Sequence, residues 1–222
     1  DIYYRVETNK YFNGFSTTPA LEYVVSNTIS DFHPKMSNHL LTEIYLCTEG
    51  SGFFEVNNKR VPFKEGDIFI INPYVIHGCG ASEKETLKYY ILAIKNIQFS
   101  SSDAIFKYLY QVNGNKLPSY VDLLWDEINE MKDKFDNSRI PIVRNLLNII
   151  LTELKYITST DVIPFNKKEA AAVANAVAQY INTHFNQTIT ADELSKMFLR
   201  SKSTIMHMFK ATYQTTVFHY LT

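Results

Sequence analysis

Lys202, Ser203, Met206, His207 and Lys210 fall within one short stretch near the C-terminal end of a 222-residue chain. Ammonium groups, an imidazole and a hydroxyl are the groups that contact phosphates and base edges, and a thioether can touch a thymine methyl. At helical spacing they would form the exposed face of a helix whose other face is Ile205, Met208 and Phe209. Ser201, just before them, is a residue type that caps helix N-termini. A second set lies far upstream. Glu43, Tyr45 and Cys47 alternate with Ile44 and Leu46, and a period of two puts the first three on one face of a strand. The carboxylate marks that face as a candidate pocket lining, with Tyr45 beside it. Arg5, Lys35, Arg60 and Lys88 could meet an anionic ligand, although each is by default a surface charge. No Ser/His/Asp or Cys/His arrangement stands out, and no glycine-rich loop precedes a helix. Cys47 and Cys79 lie in apolar contexts that suit buried thiols rather than a nucleophile. No catalytic residue is therefore assigned, and the chain is not expected to be an enzyme.

The elements that must position these groups change period along the chain. Residues 21–26, 43–48, 52–56, 67–71 and 87–94 are short, aromatic or β-branched, and bounded by Gly, Pro, Asn or Ser, which predicts strands. Val56-Asn-Asn-Lys-Arg-Val61 reads as a tight hairpin. Many short strands without long helices between them point to an antiparallel sandwich or barrel. Residues 103–112 and 119–135 then read as helical, and residues 141–157 form the clearest helix. Val143, Leu146, Leu147, Ile150, Leu151, Leu154 and Ile157 follow three-and-four spacing there, and Pro141 suits its first turn. That stripe can pack on its own barrel or pair with a twin, and Leu147, Leu151 and Leu154 are the expected dimer contacts. Residues 158–166 read as a linker, and 169–185 as another helix. Thr190-Ala-Asp-Glu193 is a capping box opening a helix over 191–198, followed by a second over 202–211. Two short amphipathic helices with a tight connection form a helix-turn-helix, although the spacing alone favours a plain helical hairpin over a DNA-binding unit.

Composition narrows the classes. Hydrophobic residues make up 45% and charged residues 20%, which is ordinary for a globular protein. No apolar run is long enough to span a bilayer. The first residues, Asp1 to Val6, have no basic segment followed by an apolar core, so no secretory leader is expected. Two cysteines exclude a disulfide scaffold and fit a reducing, cytoplasmic location. The net charge of −1 is unevenly spread. Residues 167–222 hold six basic against three acidic side chains, while the rest of the chain is net acidic. A basic segment on an acidic body directs any polyanion to that segment.

The C-terminal pattern, Tyr180-Ile181, then Ile189-Thr190-Ala-Asp-Glu-Leu194-Ser-Lys-Met-Phe198 followed by Ser201-Lys-Ser203-Thr-Ile205-Met-His-Met-Phe209-Lys210 and Phe218-His-Tyr220-Leu221, resembles the first helix-turn-helix of AraC/XylS-type transcription regulators. The resemblance spans about 45 residues. Ser195 stands where that family usually has Ala, Leu199 where a Gly makes the turn, Gln214 where a Gly ends the second helix, and His207 where an Arg is common. The family carries two such motifs, and the sequence given stops near the start of the helix that joins them, so a truncated chain that binds DNA weakly is expected. The N-terminal half is similar to the family's cupin-type sensor, through His39-Leu-Leu-Thr-Glu43-Ile-Tyr-Leu, Gly50-Ser-Gly52, Gly66-Asp67-Ile68, Asn72-Pro73 and His77. Metal-binding cupins have a histidine where Ser37 stands here, while His39, Glu43 and His77 match their other ligands. The resemblance to sensor-type members implies inherited geometry lining a pocket, so no metal or other cofactor is assigned.

Together these readings predict an α+β chain: an N-terminal antiparallel cupin-like β-barrel, then helices and a C-terminal all-α helix-turn-helix. Residues 1–160 would bind an effector and dimerise, and residues 167–222 would hold a partial DNA-binding domain. Expected partners are DNA, a small-molecule effector and a second copy of the chain, with no membrane. The expected ligand-binding residues are His39, Glu43, Tyr45 and His77. Those expected to meet DNA are Ser201, Lys202, Ser203, Met206, His207 and Lys210. The competing expectation is a metal-dependent cupin enzyme, a dioxygenase or isomerase, using His39, Glu43 and His77.

Overall fold

A computed structural model of the protein describes residues 2–7, 19–37, 39, 41–56, 59–73, 75, 77–100, 105–109, 116–133, 136–165, 167–198 and 200–221. Its strands are β1 (Ile2–Glu7), β2 (Ala20–Ile29), β3 (Thr42–Val56), β4 (Lys59–Lys64), β5 (Asp67–Ile71), β6 (His77–Ala81), β7 (Leu87–Lys95), β8 (Ile97–Phe99), β9 (Ile105–Leu109) and β10 (Val162–Pro164). The helices are α1 (Leu117–Asp133), α2 (Ile140–Thr158), α3 (Lys167–His184), α4 (Ala191–Phe198), α5 (Lys202–Tyr213) and α6 (Val217–Tyr220). Among the described residues no helix is long and apolar enough to cross a membrane.

One antiparallel sheet runs β1-β2-β7-β3-β5-β9, with β4 and β6 branching from β3. The long strand β3 makes this possible. Residues 43–46 pair with β5 and residues 42–50 with β7, whereas residues 51–56 pair with β4 and β6. The change of partners comes at Gly50-Ser-Gly52, beside a bulge between Cys47 and Glu49. Gly50 has φ +82, and a Cβ there would overlap the Thr86 carbonyl oxygen, so glycine is required at the bend. Val56 pairs with Lys59 as the predicted hairpin requires; Asn57 and Asn58 lie outside the described residues.

Each strand puts alternate residues on two faces. One face carries Leu21, Val24, Ile44, Leu46, Ile68, Ile70, Leu92 and Ile94 and packs on α1 and α2. The other carries Tyr23, Glu43, Tyr45, Phe54, Phe63 and Phe69, all buried. The result is a cupin-like antiparallel sheet covered by helices. A separate unit starts at Phe165. Its core is Val177, Ala178, Ile181, Ile189, Leu194, Ile205, Phe209 and Val217, from α3 to α6.

Two segments differ from their expected form. Residues 105–109, read as part of a helix over 103–112, are strand β9 and pair with β5 from Ile71↔Ile105 to Asp67↔Leu109. The pairing satisfies backbone groups that β5 would otherwise leave open, and this outweighs the weak local preference of Ile-Phe-Lys-Tyr-Leu for a helix. The supposed linker contains β10, which pairs with β8 through Val162↔Phe99. Both partners are distant in sequence, so neither pairing leaves a local signal.

Candidate functional site

Glu43 lies at the start of β3 with its side chain on the inner face and almost fully buried. Its carboxylate collects four partners. The Tyr23 hydroxyl donates to Oε1, and the Tyr45 hydroxyl donates to Oε2 at 2.7 Å. His77 Nε2 is 2.9 Å from Oε2, and His39 Nε2 is 3.0 Å from the same oxygen. Strand register explains why Tyr23 can reach it. Tyr23 and Glu43 both pair with Ala93 of β7, from opposite sides. Directly paired residues share a face, and the small Ala93 side chain leaves room for the tyrosine ring to cross it. His77 arrives from β6, opposite Val56, with its ring stacked on Phe54. Its Nδ1 lies 2.8 Å from the Val75 carbonyl oxygen. Carbonyl and carboxylate oxygens only accept, so Nδ1 donates to Val75 and Nε2 donates to Glu43.

The segment between β2 and β3 supplies the rest. Ser37 and His77 exchange backbone hydrogen bonds of 2.8 and 3.1 Å, and the Ser37 hydroxyl is 3.3 Å from His77 Nε2. His39 stands edge-on to His77, ring centres 5.1 Å apart. Its contact with Glu43 is close but off the N–H axis, so neither buried ring nitrogen of His39 has a hydrogen-bond partner. Around this cluster Tyr45 packs edge-on to Phe54, and Phe54 stacks on Phe69. Burial by itself would raise the Glu43 carboxyl, but the imidazoles of His39 and His77 outweigh it and hold the group well below the usual carboxylate range. Tyr45 is pushed well above its ordinary value, by burial first and by the Glu43 charge second.

All four residues assigned to ligand binding, His39, Glu43, Tyr45 and His77, thus converge in one cluster. Sequence reasoning did not include Tyr23 in the set, because its proximity to Glu43 depends on the β2-β7-β3 strand order. The proposed cations for an anionic ligand have other company. Arg60 lies over the Phe32 and Phe53 rings and pairs with Glu55 at 3.0 Å. Lys88 pairs with Glu49, Lys35 is exposed, and the Arg5 side chain lies outside the described residues.

The model of the AraC-like ligand-binding domain matches residues 19–136, more than half of the chain. The chain belongs to this family. The matched region covers β2 to α1 and holds every member of the Glu43 cluster. No curated protein matches the chain. Among solved structures, a cupin protein from Bacteroides fragilis is 20% identical, with 41% of this chain and 76% of that one covered, at a TM-score of 0.33. A cupin 2 conserved barrel domain protein from Salinispora arenicola is 17% identical, with 41% and 72% covered and a TM-score of 0.33. YhaK from Escherichia coli is 14% identical, with 49% and 51% covered and a TM-score of 0.40.

Outside the AraC-like domain, the helical unit forms as expected in its elements but not in its exposed face. Thr190 caps α4 through the Glu193 amide at 3.2 Å. Glu193 accepts a hydrogen bond from the Tyr180 hydroxyl at 2.6 Å, which diverts its carboxylate from closing the capping box. Ser201 caps α5 by accepting from the Thr204 amide at 3.1 Å. The Ser195 hydroxyl donates to the Arg200 carbonyl at 2.7 Å and so ties the connection between the helices; Leu199 lies outside the described residues. Of the five residues placed on an exposed face, only Lys202 and Lys210 are exposed, and Lys202 pairs with Asp192 at 2.7 Å. Met206 is half-buried against the helical core, and Ser203 is half-buried with its hydroxyl oxygen covered. His207 is 8% exposed. It lies about 200° around the axis from Ile205, so α5 is covered on two sides, whereas the sequence reading assumed one.

The dimer assignment is corrected in the same way. Leu147, Leu151 and Leu154 are buried against the sheet of their own unit and are not available to a second copy. The reason is that α2 turns its most continuous aliphatic stripe inward. Its exposed apolar residues are Ile142, Ile149 and Tyr156.

Proposed function

We propose that the chain is a ligand-responsive, DNA-binding transcription regulator of the AraC type, regulatory rather than catalytic. The β unit binds an effector, α2 pairs with its counterpart in a second copy, and the helices after Phe165 meet DNA. The observation that carries this reading is the buried cluster of Glu43, Tyr45, His39 and His77 within a domain whose family is defined by ligand binding. A buried charge is costly unless it is paired and hydrogen-bonded, as Glu43 is, and aromatic walls around a few convergent polar atoms are the usual make-up of a small-molecule site. Two capped helices joined by a short connection support the DNA-reading part. Ile142, Ile149 and Tyr156 recur every seven residues, the spacing at which two helices pair. They replace the leucines as the proposed contact.

DNA affinity should be modest and fall steeply with salt, because Lys202 and Lys210 are the exposed cations of α5 and few phosphates are met. Fluorescence anisotropy against salt tests this. Lys210→Ala is expected to reduce the salt slope by about one and to weaken binding to all duplexes alike. Affinity that ignores both salt and this substitution would exclude the DNA-reading role. Light scattering tests the pairing: Ile149→Glu should give monomers with an unchanged melting temperature.

A further inference from the structure

We infer that residues 31–37 form a strap on the β unit that lifts as one piece and admits a small molecule to the Glu43 cluster; the admission half rests on the sensor reading above. Tyr23, Glu43, Tyr45 and His77 are each less than a tenth exposed, so a molecule that is to touch them needs a wall to move. Strand β6, which carries His77, has unequal edges. On one side it pairs with β3 along its whole length, from Gly52↔Ala81 to Val56↔His77. On the other lies the strap, joined near its two ends. Ser37 and His77 exchange two backbone hydrogen bonds, and the Ala81 amide donates to the Asp31 carbonyl at 2.9 Å. Every strap residue except Pro34 is exposed, so little buried apolar area holds it down. Segments of this kind open locally before the sheet does.

A clasp reaches the strap from β4. The Arg60 guanidinium carbon lies 4.3 Å from the Phe53 ring centre and 5.0 Å from that of Phe32. Phe32 meets Phe53 edge-on, ring centres 5.4 Å apart, and Glu55 steadies the guanidinium at 3.0 Å. Cation–π contacts at exposed sites are modest, so the clasp restrains the strap without locking it. The strap also lies close on β6. A Cβ at Gly78 would come 2.9 Å from both the Lys35 carbonyl oxygen and Met36 Sδ, and one at Gly80 would come 3.0 Å from the Phe32 carbonyl oxygen. Two glycines on one face of the strand permit that approach. Two residues beyond the strap is His39, whose Nε2 is 3.0 Å from the Glu43 carboxylate. Lifting the strap therefore draws away one side of the cluster.

The test uses the full chain with no ligand added. Trypsin under native conditions should cut after Lys35 through the lifted form, and mass spectrometry compares that cut with those elsewhere. Arg60→Ala and Phe32→Ala, which remove different halves of the clasp, should each raise the Lys35 rate by about 3–10-fold. Arg60→Lys, which keeps the charge but not the flat guanidinium, should fall between. Gly78→Ala, which leaves the clasp and crowds the strap, should raise the rate as well. The amides of Ser37, His77 and Ala81 bridge strap and strand, so their hydrogen exchange should quicken by the same factor while that of β3 and β7 stays slow. Diethyl pyrocarbonate probes admission. The two ring nitrogens of His39 are buried, and their acylation should rise in step with the Lys35 cut. Equal acceleration at every cut site, or a Lys35 rate unchanged in both Arg60→Ala and Phe32→Ala, would overturn the strap. A faster Lys35 cut with His39 acylation unchanged would overturn admission and leave the strap. Since no effector is present, a metabolite screen that finds no binder counts against the sensor reading and leaves the strap standing.

Discussion

Two buried ionisable groups have opposite histories in this molecule. Glu43 keeps its charge because the imidazoles of His39 and His77 outweigh the effect of burial. His207 loses its charge because burial and, second, the Lys210 ammonium disfavour the imidazolium, and its pKa drops to about 4. The ordinary imidazole value is about 6.5. Between these two values the unfolded chain binds a proton that the folded chain refuses. Stability therefore falls as pH drops from about 6.5 to about 4, by at most ~1.4 kcal/mol per unit and about 3 kcal/mol in all. Urea titrations across that range should show the loss, and His207→Gln should flatten it. A profile identical in both proteins would mean that the burial of His207 has been misjudged. The position could not be read from the sequence, since 207 falls opposite Ile205 on a helical wheel and is covered only through tertiary contact.

The elements show which signals are local. The bounds of α4 and α5 were nearly legible, because Thr190 and Ser201 cap within three residues of their own position. The end of α5 is equally local. Gln214 adopts φ +58 there, and its amide donates to the Lys210 carbonyl at 2.8 Å. A left-handed residue with a Cβ costs about 1–2 kcal/mol, part of which glycine recovers despite its greater freedom when unfolded. Gln214→Gly should thus stabilise the helical unit by about 0.5–1 kcal/mol, measurable by chemical denaturation. Strands β9 and β10 were illegible for the converse reason. Each exists because a partner strand lies beside it, and nothing within five residues announces that partner. The inner face of β3 is an intermediate case: alternation put Glu43 and Tyr45 together, but only the strand order brought Tyr23 to them.

At the scale of the molecule, the chain divides into two units with separate cores. Scanning calorimetry should resolve two unfolding transitions. Leu154→Ala should lower only that of the β unit, at a cost of about 2–5 kcal/mol, since Leu154 is fully buried in the core formed by sheet and helices. A single transition shifted as a whole would show that the units unfold together. The antiparallel class and the order of strands before helices were readable from composition and period. The inward turn of the α2 leucines was not, because a stripe alone does not say whether a sheet or a second helix receives it.

Strand β3 is gripped by neighbours along both edges over most of its length, and it carries Glu43 near one end and the bend at Gly50 in its middle. Fraying starts where a backbone has an open side, and this one has few. The Glu43 carboxylate is therefore seated on a well-paired strand, while His39 and Ser37 approach it from the connection between β2 and β3. A ligand that touched both His39 and Glu43 would bridge that connection to the strand.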